Sequence, residues 1–333
     1  MKAVLTKEVG GPETLVVEQI DSPAPGKGEV LVDVAACAIN FPDTLMIRDL
    51  YQFKPERPYS PGGEISGTIT AVGEGVDGWK VGDRVLSGIG SGGLREQVAV
   101  EAGRLFKVPE GVNLVDASAL LMTYGTMIHA LKDRGDIKPG ETVLVLGAAG
   151  GVGLASIELA KAYGAKVVAA VSSDDKAKAA VEAGADETVV YPRAPFDKEQ
   201  SKALAGDFKN AVGPNGADIV VDIVGGDYSE PALRSIAWEG RFLVIGFPAG
   251  IAKMPLNLTL LKSCDIRGVF WGAFAARDPK ANAQNIADLF EFWKDGKIAP
   301  RISETFSLDE AHTAIQKLEN REAVGKLVVV MDS

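Results

Sequence analysis

In the stretch ETVLVLGAAGGVGLASIELAKAYGA, residues 141–165, an apolar run ends in small residues and a helical pattern starts at once. Bare backbone at such a junction suits the binding of a phosphate. Glycine lets the chain approach a pyrophosphate closely, and a helix N-terminus offers unpaired N–H groups and the positive end of a dipole. Ala149, Gly150, Gly151, Val152 and Gly153 fit G-x-G-x-x-G, with Ala148 in the first glycine's place. The context strengthens the match. A predicted strand, 142–146, precedes the cluster, and a predicted helix, 154–163, follows with Leu154, Ile157 and Ala160 on one side. A second predicted strand, 166–171, completes a dinucleotide-binding βαβ unit.

The residues after that second strand choose the dinucleotide. NAD sites place Asp or Glu there to accept from the ribose 2′-hydroxyl. Here the strand runs into Ser172 and Ser173, with Asp174 and Asp175 only afterwards. Two hydroxyls can donate to a 2′-phosphate and Lys176 can set a cation beside it, so NADPH is expected. Ser172 also has the form of a helix N-cap, and Lys176 that of a solvated surface residue.

The elements that must position these groups fall into two textures. The first 110 or so residues read as β-rich, with strands at 30–36 and 65–72 and turns at 73–75 and 81–83. Residues 116–131 read as helical. Beyond a boundary near Tyr124, apolar runs at 142–146, 166–171, 185–191, 218–224 and 241–245 alternate with helical segments such as 154–163 and 176–183. This predicts a parallel sheet covered on both faces, so the fold class is α/β with a small β-rich domain beside it. Ser307 and Glu310 form a capping box before a helix reaching about Asn320, and 326–331 reads as a strand.

The 333 residues carry a formal charge of -10, with 46% hydrophobic and 24% charged side chains. No basic stretch is visible, so nucleic acid is not expected as a partner. The opening MKAVLTKEVGGPE has no apolar signal-like core, and the longest apolar stretch is broken by glycines and carries Glu158. No membrane span is expected. Cys37 and Cys264 stand far apart, which suits reduced thiols in the cytoplasm.

Beyond the glycine cluster, the chain carries Asn40-Phe-Pro-Asp43 followed by Arg48-Asp-Leu-Tyr51, then Pro61-Gly-Gly-Glu64-Ile-Ser-Gly67 and Val81-Gly-Asp-Arg-Val85. Near the end stand Glu319-Asn-Arg321 and Gly325-Lys-Leu327. Over nearly its whole length it resembles the medium-chain dehydrogenase/reductase superfamily, and within it the zinc-free quinone oxidoreductases that include ζ-crystallin. The resemblance implies a GroES-like catalytic domain over 1–124, completed by 297–333, and a doubly wound Rossmann domain over 125–296. Zinc-using members carry a Cys ligand near Asn40 and Gly-His-Glu near Gly62, Gly63 and Glu64, so the thiol is replaced by Asn and the imidazole by Gly. A proton-relaying hydroxyl of those enzymes is replaced by Pro42. Cys37 is three residues out of place, His129 and His312 lie in helical patterns, and a four-cysteine lobe cannot form from two cysteines. No metal is expected.

Without a Lewis acid, an alkoxide has nothing to stabilise it, whereas hydride donation to a quinone or a conjugated alkene spreads charge onto oxygen. The resemblance implies an NADPH-dependent reductase of a small electron acceptor. Asn40 would donate to a developing oxyanion, or merely shape a turn; Tyr51 would bind the acceptor or act as its acid, or merely line the cleft. Asp43 and Arg48 are expected to pair locally. Thr126 is implied near the nicotinamide, and Lys176, Tyr191 and Arg321 around the 2′-phosphate, with Tyr191 stacking or hydrogen-bonding. Phe247 and residues 270–272 would wall the cofactor cleft or simply pack.

Two departures weaken the quinone. Leu45 stands where some bacterial relatives have an acceptor-site tyrosine, and the loop 87–94 carries no aromatic. Enones, enals or enoyl thioesters are therefore the alternative acceptors, and a non-catalytic NADPH-binding role is the third reading. Resemblance also implies a homodimer formed by joining Rossmann sheets, with the apolar run 270–274 at its border.

Overall fold

The computed structural model describes residues 1–331. Two compact units share the chain: Met1–Met122 with the segment from Pro300 onward, and Thr123–Ala299.

The first unit is built on antiparallel strands. In order these are β1 (Lys2–Leu5), β2 (Val16–Gln19), β3 (Glu29–Ile39), β4 (Glu64–Val72), β5 (Arg84–Gly88), β6 (Gln97–Glu101) and β7 (Leu105–Lys107). A short helix α1 (Phe41–Met46) follows β3, and another, α2 (Leu114–Ala117), follows β7. The eleven-residue β3 is the spine, pairing with β4 and β6. Its register against β4 shifts at 31/32 and 34/36, and such bulges let one long strand bend into a barrel-like wall. Gly67 on β4 permits the approach, because a Cβ there would lie 2.1 Å from the Asp33 carbonyl oxygen.

The chain passes to the second unit in a helical segment, Leu114–Arg134, long and apolar enough to cross a membrane; 72% of its apolar window is buried inside the protein. The expected helix at 116–131 is thus present but not regular. Wide π-type turns at Leu121–Gly125 and His129–Arg134 flank a short α3 (Thr126–Ile128).

In the second unit, strands β8 (Thr142–Leu146), β9 (Lys166–Val171), β10 (Glu187–Val190), β11 (Ala217–Asp222), β12 (Ile236–Val244) and β13 (Asp265–Gly268) form one parallel sheet. Its order is β10-β9-β8-β11-β12-β13, so the winding reverses between β8 and β11. A reversal of this kind opens a crevice beyond the strands' carboxyl ends. Strands β8, β9 and β11 are buried almost throughout, as expected of strands covered on both faces. The helices are α4 (Gly151–Ala162), α5 (Asp174–Glu182), α6 (Lys198–Val212), α7 (Ser229–Arg234), α8 (Asn257–Lys262), α9 (Trp271–Arg277) and α10 (Pro279–Lys294).

From Pro300 the chain returns to the first unit. Strand β14 (Ile302–Ser307), helix α11 (Ala311–Glu319) and strand β15 (Lys326–Val330) follow, with β15 inserted between β14 and β3. The capping box forms as expected, Glu310 accepting from both the backbone N–H and the hydroxyl of Ser307.

Candidate functional site

The second unit opens α4 with a glycine-rich turn whose backbone could cradle a phosphate. Helix α4 begins at Gly151, three residues before the expected Leu154, so the cluster lies in the first turn itself. Gly150 is the N-cap and no side chain caps this end, in contrast to Ser173 on α5 and Asp197 on α6. The N–H groups of Gly151, Val152 and Gly153 have no carbonyl one turn back within the helix. Above Gly150 there is room, since a Cβ there would meet only the Gly147 oxygen, at 3.8 Å. Gly153 is the opposite: a Cβ would lie 2.3 Å from that same oxygen, so glycine is what seats α4 against the loop. Ala149 is buried beneath the turn. The turn out of β8 is made by Gly147 (φ 72), which sequence reasoning passed over although a glycine directly after a strand was its signal.

At the end of β9, Ser173 rather than Ser172 is the N-cap of α5, accepting from the Lys176 N–H at 3.4 Å. That frees the exposed Ser172, whose hydroxyl lies 3.4 Å from Lys176 Nζ. Two donors and a cation therefore stand together where an acidic residue would select NAD. Tyr191 departs from the expectation of stacking. It is buried in the unit's core, its ring 4.7 Å from that of Tyr228, so it does not offer a face for a ligand, and only the hydrogen-bonding half of the expectation is left open. Phe247 is 49% exposed beyond β12 and remains available as a wall. Trp271 and Phe274 instead pack inward: a Cβ on Gly125 would touch the Trp271 ring at 2.9 Å, and Phe274 stacks on His129 at 4.0 Å. Thr126 lies between the two π-type stretches, half-exposed while the rest of the described run 123–131 is buried. Such wide turns recur at functional positions.

The first unit holds a buried polar cluster. Asn40 ends β3 as the N-cap of α1, and both of its amide hydrogens are engaged, by Ala38 O at 3.2 Å and Glu64 Oε2 at 2.9 Å. Its oxygen accepts from Lys326 Nζ at 2.5 Å. The amide expected to donate to an oxyanion is therefore committed to holding β3, β4 and β15 together. Lys326 also donates to Ile39 O at 3.1 Å and lies 3.4 Å from Glu64, with both side chains almost wholly buried. Asp43 accepts from the Asn40 N–H at 2.8 Å and the Gly62 N–H at 3.1 Å. It does not pair with Arg48, which makes a two-pronged ion pair with Glu319 instead. Burial pushes the Asp43 carboxyl up to about 6, against the opposing pull of its backbone N–H donors and Lys326. Tyr51, half-buried in the loop after α1, has its phenol raised first by burial and then by the Asp43 charge, so it is a neutral donor at pH 7.

Arg321 is exposed just past α11, in the left-handed region at φ 62. Glycine usually fills such a position, and an arginine there costs about 1 kcal/mol.

Comparison with known proteins accords with this architecture. Residues 26–110 match the alcohol dehydrogenase GroES-like domain family and residues 151–289 the zinc-binding dehydrogenase family. The chain is 38% identical over 330 residues to quinone oxidoreductase-like protein 2 of Bos taurus, covering 98% of this chain and 92% of that one. It is 32% identical over 337 residues to the quinone oxidoreductase of Homo sapiens, covering 99% and 98%. Among solved structures, Escherichia coli quinone oxidoreductase complexed with NADPH superposes with TM-score 0.88 at 27% identity, covering 99% of this chain and 100% of that one. A mycobacterial protein complexed with NADPH gives 0.91 at 31%, covering 99% of each. The chain belongs to the quinone oxidoreductase family of the medium-chain dehydrogenases/reductases.

As a member of this family it is an oxidoreductase, with a GroES-like unit and a Rossmann unit. Reading the sequence alone singled out the glycine-rich start of α4 but not Lys326, Asp43 or Glu64 as one cluster. Lys326 had a usable signal, a single cation opening the apolar strand KLVVV, but its partners lie 286 and 262 residues away in sequence.

Proposed function

We propose that this oxidoreductase uses NADPH to reduce a quinone, without zinc. The observation that carries the reading is the pairing of Ser172 with Lys176 at the end of β9, where an NAD enzyme would present a carboxylate. The uncapped start of α4 would hold the pyrophosphate, and Arg321 is the further candidate for the 2′-phosphate. Its guanidinium can grip a phosphate bidentately. Bound there, NADPH supplies the hydride.

The remaining work falls to this chain. Tyr51 keeps its proton at neutral pH and offers it to the acceptor oxygen. Asp43 and the Asn40–Glu64–Lys326 cluster hold β3, α1 and the Gly62 turn beneath it. Zinc independence is supported at Gly63, the position where zinc-using members carry the imidazole: a Cβ there would already lie 2.9 Å from the Gly90 carbonyl oxygen. An imidazole cannot be installed there without moving the turn.

A second reading, reduction of an activated alkene, is favoured by the loop after β5. It packs its backbone on Gly63, where a Cβ would lie 2.9 Å from Gly90 O, and it offers no aromatic for stacking a quinone. NADPH and NADH oxidation over quinones, enones, enals and enoyl-CoA esters separates the two. Quinone turnover supports the first, and turnover restricted to C=C acceptors replaces it with the second.

A homodimer is the assembly we favour, because β13 is a sheet edge bordered by exposed Leu256, Leu260, Leu261 and Ile266. The widely separated free cysteines favour the cytoplasm, and the acidic balance argues against nucleic acid as a partner.

A further inference from the structure

The chain passes between its two units twice, after Met122 and after Ala299. On the Rossmann side both passages are tied to one atom. Glu158 Oε2 accepts the hydroxyl of Tyr124 at 2.6 Å and the backbone N–H of Ala299 at 3.0 Å. Tyr124 is 2% exposed, so its hydroxyl depends on this partner. Glu158 lies on α4, the helix whose first turn forms the phosphate cradle, seven residues beyond Gly151 and on the same face. Two residues past Tyr124 stands Thr126, between the π-type stretches.

A carboxylate is a costly choice for this place. Burial raises the Glu158 carboxyl above its ordinary range, and the two hydrogen bonds only partly offset that. A core carbon side chain would fill the space with less penalty, but it could not join two separate segments at one point. One oxygen accepting from both passages makes them move with α4 and with each other.

We propose that Glu158 is a positioning residue for hydride transfer: it clasps both chain passages to the phosphate-binding helix and so fixes Thr126 and the exit at Ala299 relative to the cofactor. The inference rests on the NADPH-reductase reading for its kinetic consequence, but not for its structural one. Glu158 itself touches neither reactant.

The test uses the whole protein with Glu158→Ala, Glu158→Gln and Tyr124→Phe. Amide exchange at Ala299 should accelerate about tenfold or more in E158A. Y124F should accelerate it too, because the short bond from Tyr124 is what holds the Glu158 carboxylate in place for the Ala299 N–H. In the same E158A protein kcat should fall about tenfold while the dissociation constant of NADPH stays within about threefold. E158Q, whose carbonyl oxygen can still accept both bonds, should recover most of the rate. Unchanged exchange at Ala299 in Y124F would overturn the shared clasp, and if E158A fails to fold, E158Q and Y124F still decide it. Equal losses in NADPH affinity and kcat would overturn the positioning role. If the wild type oxidises no NADPH with any acceptor, the functional reading fails instead, and the exchange result still stands or falls alone.

Discussion

The proposed phosphate cradle of the Rossmann unit and the buried polar cluster of the GroES-like unit differ in what determines them. The cradle is a product of local backbone. Gly147 turns the chain out of β8, Gly150 leaves open space, and Gly153 seats α4, each three residues after the one before. The cluster is a product of distance: Asn40 follows β3, Glu64 opens β4, and Lys326 opens β15 at the other end of the chain. A locally determined site tolerates change elsewhere but not a methyl added at Gly153. A cluster assembled from afar is sensitive to loss of any one charge, because the others are left buried and uncompensated.

The largest expected effect tests that sensitivity. Lys326→Met should destabilise the protein by about 3–5 kcal/mol, since Glu64 loses its buried cation. Denaturant unfolding measures it, and a change below about 1 kcal/mol would mean that the cluster is not a unit. Lys326→Met with Glu64→Gln should recover part of the loss, because no unpaired carboxylate remains.

Asp43 gives the next effect. Its folded pKa is raised from 3.8 to about 6, so its contribution is favourable below the unfolded value and is lost as pH rises through about 6. Relative to Asp43→Asn, the wild type should therefore lose about 2 kcal/mol of stability between pH 4 and pH 7. A difference that stays flat over this window would show that burial does not govern Asp43.

On the other side of the comparison, Gly153→Ala places a Cβ 2.3 Å from Gly147 O. The first turn of α4 must shift, and affinity for NADPH should fall about tenfold or more, with a smaller effect on overall stability. Lys176→Ala should be the mildest. It removes one cation beside Ser172, weakening NADPH about tenfold while leaving NADH within about twofold. Equal weakening of both would remove Lys176 from the 2′-phosphate.

The same contrast explains what could be read in advance. Strand β9 was expected at its observed bounds, and β8, α4 and the capping box at Ser307 were legible because hydrophobic period and cap chemistry are local. The start of α4 was placed late because glycines hide a helical turn from propensity reasoning. The mixed geometry of Leu114–Arg134 was invisible, since a π-type turn and an α turn bury nearly the same pattern. Tyr191 looked like a ligand-facing aromatic at a strand end, but Tyr228 and the core claim its ring. Nothing near Asn40 in sequence announced that Glu64 and Ala38 would take both of its amide hydrogens.

The central claim is a zinc-independent transfer of hydride from NADPH to a quinone. The most direct measurement is kcat/KM for NADPH and for NADH with a simple para-quinone, on wild-type protein treated with a strong chelator. The account predicts turnover unaffected by the chelator and a preference for NADPH of about tenfold or more. Activity that returns only when zinc is added back, or an equal or better rate with NADH, would contradict it.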